Sequence, residues 1–90
     1  MVCMITYDLN APGKNYDDII KTIKDCSTGV WCTFWKSSYL IKTNKSVDDI
    51  QSELTPFLDS NDTLLVIEVK KNYQGWLAKE DWNFVNDMFD

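Results

Sequence analysis

Ninety residues make one domain, and a chain this short buries only about two thirds of its surface on folding, so its core is small and a partner chain is a natural source of further burial. The composition, 44% hydrophobic and 13% aromatic with three Gly and two Pro, is that of a globular protein rather than a disordered one. Nine lysines, no arginine and fourteen acids give a net charge of −5, which argues against tight binding of nucleic acid, because phosphate recognition draws on arginine forks and clustered positive charge.

In chain order, residues 2–8 (VCMITYD) alternate well enough for a first strand ending near Asp8, and Asn10, Pro12 and Gly13 mark a loop. Asn15 followed by Asp18 has N-cap spacing, and Tyr16, Ile19, Ile20 and Ile23 recur at helical intervals, which predicts a helix over 15–25. Thr28 to Trp35 and Ser38 to Thr43 read as two strands of an antiparallel hairpin around Lys36 and Ser37. Ser46 with Asp49 opens a second helix like a capping box. Val47, Ile50 and Leu54 form its stripe, and Pro56 ends it. After the polar turn 59–62, TLLVIEV is the clearest strand in the chain, and past Gly75 the spacing of Trp82, Val85 and Phe89 predicts a helical tail over 76–89. The order β, α, β, β, α, β over residues 1–70 is the split βαβ pattern. It predicts a single α+β domain over 1–90, ferredoxin-like, with a four-stranded antiparallel sheet and an extra C-terminal helix.

Apolar runs such as Leu64–Ile67 are far too short to span a membrane, and Asp8 breaks the first apolar stretch before a secretory signal could form, so the expected location is cytoplasmic. Cys3, Cys26 and Cys32 are odd in number, lie in or beside apolar segments and come with no histidine; they read as buried reduced thiols rather than a zinc site.

Strand parity sorts the sheet into two faces. Ile5, Tyr7, Cys32, Phe34, Ile41, Leu65 and Ile67 are expected beneath the two helices. The opposite face would then carry Met4, Trp31, Trp35, Leu40, Leu64 and Val66, a patch large enough to be covered either by the C-terminal helix or by a second subunit. Trp31 and Trp35 have the chemistry to stack bases, but the acidic balance favours packing as their role. A homodimer is therefore expected, with a contact that involves Trp31 or Trp35.

A first strand ending in ITYDL, a polar loop, and two helices alternating with strands resemble the small CRISPR-associated Cas-two proteins and the related VapD-type ribonucleases. The fuller pattern ITYDLN followed by LDSNDTLLVIEV resembles still more closely a group of small bacterial and phage proteins labelled SinR-like. The resemblance covers residues 1 to about 70. It implies that Asp8, the strand-end acid, meets its twin across a homodimer, where the pair can hold a divalent ion, Mg or Mn, for phosphodiester cleavage; the Cas-two dimer also serves as a structural bridge in spacer integration. This chain departs from the family in its loop, NAPGKNY with one Lys, and in a Trp-rich helical tail where a fifth strand commonly crosses to the partner.

Asp8, Asn10, Thr43, Asn44, Asn61 and Asp62 are expected to gather at one end of the sheet, oxygen ligands that suit magnesium or manganese, although Asn and Asp also collect in turns simply to satisfy turn backbone. Two functions follow from different classes. The first is a non-catalytic homodimeric module, regulatory or defence-related, that meets a protein partner and binds nucleic acid weakly at most. The second is a metal-dependent endoribonuclease whose catalytic and metal-binding residue is Asp8. The first is preferred, because an acidic protein acting on a polyanion needs bound cations to overcome repulsion.

Overall fold

The computed structural model describes residues 1–10 and 16–90. Its elements are β1 (Val2–Asp8), α1 (Tyr16–Cys26), β2 (Trp31–Trp35), β3 (Ser38–Lys42), α2 (Val47–Leu54), β4 (Thr63–Val69) and α3 (Lys79–Asp87). The expected loop around Pro12 and Gly13 and the capping Asn15 lie outside the described residues. Among the described residues no helix is long and apolar enough to cross a membrane.

The four strands form one antiparallel sheet in the order β2-β3-β1-β4. This α+β arrangement is consistent with the ferredoxin-like fold, in which two helices pack on one face. Here α1 contributes Ile19 and Ile23 and α2 contributes Ile50 and Leu54, all fully buried, against Cys3, Ile5, Tyr7 and Ile41 of the central strands. The capping expectation for α2 holds: the Asp49 amide donates to Ser46 Oγ at 3.1 Å. A single 3-10 turn, Thr55–Phe57, follows at Pro56.

β2 starts at Trp31, three residues later than expected, because the chain first bends at Gly29. That glycine has φ +104°, a conformation side-chain-bearing residues rarely adopt, and its amide donates to Ser27 Oγ at 3.1 Å. The tail helix likewise begins at Lys79 rather than 76, after an irregular stretch.

α3 lies on the opposite face of the sheet. Its buried Val85 and the adjoining Met88 pack on Val2, Cys32 and Leu40, forming a second, smaller core. The face left open by the sequence is thus covered in part from within the chain.

Parity is right for β1 and β3 and wrong for β4; in β2 it is wrong for Trp31 and Cys32 but right for Trp35, which lies on the α3 side. Register pairs Ile5 with Val66 and Tyr7 with Leu64, so Leu64 and Val66 lie beneath the helices, while Leu65 and Ile67 share the other face with Thr6 and Met4. Trp31 pairs with Ile41 and packs in the helix-side core, and Cys32 pairs with Leu40 on the α3 side. A register shift between Cys32 and Trp35 breaks the alternation of β2, and Phe34 enters neither core.

All three cysteines are free and buried. Burial pushes the Cys32 thiol up to about 11, with the Asp81 carboxylate adding to the effect, and raises Cys3 and Cys26 in the same direction. Because these acids ionise less readily folded than unfolded, their contribution to stability is full below the ordinary thiol range and is lost as pH rises through the folded values. Ellman's reagent at pH 8 is therefore expected to label native protein far more slowly than urea-unfolded protein, with melting temperature falling only above about pH 9. Rapid labelling of the native protein would contradict this placement of the thiols.

Candidate functional site

The end of β1 brings together only part of the expected oxygen cluster. Asn10 donates its backbone amide to Asp62 Oδ1 at 3.0 Å and its side-chain amide to the Asn61 carbonyl, so these residues lock the loop after β1 onto the turn before β4. Asp8 is exposed beside them, opposite Thr63 in the ladder. Thr43 and Asn44 are at the other end of the sheet. β3 runs antiparallel to β1, so Lys42 pairs with Val2 and β3 finishes where β1 starts. There the buried Thr43 hydroxyl donates to the Cys26 carbonyl at 2.7 Å and accepts from the Lys45 amide at 3.0 Å, a structural bond network far from Asp8. Among the described residues no group of three or more His, Cys, Asp or Glu side chains is disposed to hold a metal ion.

Trp31 and Trp35 do not form one stacking platform. Trp31 is half-buried on the helix side, 5.8 Å from Tyr39 between ring centroids, with Lys24 Nζ 4.3 Å from its ring centre. Trp35, beyond the register shift, is 41% exposed and faces a groove on the α3 side.

That groove is well defined. It encloses about 400 Å³ between Met4 and Leu40 of the sheet, the stretch after β4, and Trp82 and Phe89 of the tail. Its wall is an aromatic stack: Tyr73 lies parallel to Trp82 at 6.2 Å and against Phe89 at 5.4 Å, and its hydroxyl donates to the Asn86 side-chain carbonyl. None of the described residues that line it is charged.

Comparison with known proteins finds no matching family model and no matching curated protein.

Around the groove the apolar surface continues. Leu65 and Ile67 of β4 are 56% and 43% exposed, and Trp76 is 99% exposed. β4 is an edge strand with neither Lys nor Pro to discourage pairing. Sequence reasoning found that one face was apolar but assigned it Leu64 and Val66; it missed Leu65, Ile67 and Trp76. The unbroken run Leu64–Ile67 carries no alternation from which the exposed pair could be chosen, and a lone Trp in an irregular segment has no pattern at all.

Proposed function

We propose that this chain is a ferredoxin-like, Cas-two-like protein that acts without catalysis, as a homodimeric module binding a protein partner. The observation that carries this reading is the contiguous apolar surface on the α3 side of the sheet, where exposed Leu65 and Ile67 lie along an unpaired edge strand and continue into the groove at Val69. Such a surface is costly in water and is ordinarily covered by protein. The charge supports the same choice of partner: with −5 overall and no arginine, the molecule repels a phosphate backbone. The strand order, with α1 and α2 on one face, supports the fold assignment. Light scattering coupled to gel filtration is expected to return a mass near twice 10.5 kDa at micromolar concentration; a monomer there would overturn the homodimer.

One observation favours the endoribonuclease as a second reading. By alternation along β1, Asp8 belongs to the same sheet face as Thr6, which stands opposite Leu65 in the ladder, so a twofold contact through that face would put two carboxylates on the interface side. Paired carboxylates repel unless a cation lies between them. We expect no cleavage of labelled RNA with Mg or Mn above the level of Asp8→Asn, and the same melting temperature with and without metal. Cleavage that requires metal and disappears in Asp8→Asn would make the nuclease the correct function.

A further inference from the structure

Trp76 is 99% exposed in the irregular stretch between β4 and α3. A free indole is rare on a protein surface, because this is the largest apolar side chain and its burial removes about 200 Å² from water. It is itself one of the residues that line the groove, between Gly75 and Leu77, yet almost all of its ring is open to water. Plug and socket are therefore adjacent on one molecule, and both are apolar. Of the ways to pair such features between molecules, a twofold axis satisfies both at once, since each copy offers its Trp76 and receives the other's.

We propose that the groove is filled by Trp76 of a second copy, in a reciprocal exchange across a twofold axis. Volume is sufficient: about 400 Å³ exceeds what one indole needs, and the aromatic wall of Tyr73, Trp82 and Phe89 offers rings for it to stack on. Self-complementarity points to a second copy in particular: the chain that carries the apolar socket also carries the exposed apolar plug, and none of the described residues that line the groove is charged, so the inserted indole meets no acid there. Each inserted indole supplies about a quarter of the roughly 800 Å² that a stable interface buries on each partner. Val69, which lines the groove, belongs to β4, so the exposed Leu65 and Ile67 continue the same contact along the edge strand.

This inference rests on the homodimer proposed above, and one set of measurements separates the two. Wild type, Trp76→Phe and Trp76→Ser are compared by sedimentation over a range of concentrations, with tryptophan emission recorded on the same samples. The dissociation constant is expected to rise roughly 100-fold or more in Trp76→Ser and less than about tenfold in Trp76→Phe, which keeps an aromatic plug. Wild-type emission should shift to the blue as concentration rises, and the shift should be smaller in Trp76→Phe, where only Trp35 and Trp82 of the groove can still report association. Because the indole touches little within its own chain, Trp76→Ser in dilute solution should melt within about 2 °C of wild type, so lost association cannot be ascribed to unfolding. A wild-type dimer whose affinity Trp76→Ser leaves unchanged would overturn the reciprocal exchange while leaving the homodimer standing. A wild-type monomer would overturn both. Blue-shifted emission independent of concentration would mean that Trp76 folds into its own groove, and would overturn the exchange.

Discussion

Met88→Ala is expected to lower the melting temperature by on the order of 15 °C. Met88 follows α3 directly and is 2% exposed, packed with Val85 on Val2, Cys32 and Leu40 in this second core. Truncating a buried Met costs about 3 kcal/mol. The loss is large beside the roughly 5–15 kcal/mol that holds a small domain together, and each kcal/mol moves the midpoint of a domain this size by about 4–8 °C. Leu40 and Cys32 are anchored by their own strands and cannot close over the gap, so little of the cost is recovered by relaxation. Phe84→Ala is the matched control. It lies one helical turn earlier and is 42% exposed, so its replacement should cost at most about 1 kcal/mol. Thermal melts of both variants check the pair, and similar small shifts would mean that α3 is not docked on the sheet.

The consequence of that docking for function is geometric. α3 and the residues after it cover the side of the face formed by β2, β3 and the start of β1, and reach the end of β4 at Val69. What remains outside the cover is the earlier part of β4, with Leu65 and Ile67 exposed. The same helix also builds the wall of the groove, through Trp82 and its stack on Tyr73. The tail is thus both a lid on half of a sheet face and one side of the surface proposed for binding.

How much of this could be read from the chain depended on whether local pattern or pairing decided each feature. Both helices of the helix-side layer were legible, because the isoleucines of α1 and the Ser46 cap of α2 are local signals that the tertiary structure reinforces. The faces of β1 and β3 were legible for a similar reason, since Ile5, Tyr7 and Ile41 alternate with less apolar neighbours. β4 was not, because four consecutive apolar residues carry no phase, and only the ladder with β1 fixes which pair is exposed. β2 failed through an irregularity: a register shift puts Trp31 and Trp35 on different sides, and a period of two cannot anticipate it. The oxygen cluster at the end of β1 was half legible. Asn10, Asn61 and Asp62 do come together at the end of the sheet where Asp8 stands, whereas Thr43 and Asn44 were misplaced by overlooking that β3 runs against β1. Whether the open face was covered from within or by a partner was a choice the sequence left open; α3 covers one part from within and leaves Leu65 and Ile67 exposed.

The double variant Leu65→Lys, Ile67→Lys is expected to abolish dimerisation at micromolar concentration while leaving the fold intact. Both side chains are about half exposed, so the charged ends reach water and the cost to the monomer is small. In a contact along β4, by contrast, two lysines from each copy would be buried facing their twins, and like charges set against each other in an interface cost several kcal/mol. Natural edge strands use lysine in this way to prevent pairing. A decrease of more than about 100-fold in affinity is expected by sedimentation, with an unchanged circular dichroism spectrum.

The most direct test of the central claim, that the α3-side surface along β4 and the groove is where this protein meets a second copy, is amide hydrogen exchange of the wild type at two concentrations, one below and one above the dissociation constant. The account predicts that raising the concentration slows exchange in Thr63–Val69 and in the stretch around Trp76, and leaves α1 and α2 unchanged. Slowing confined to the helix-side layer, or no dependence on concentration anywhere, would contradict it.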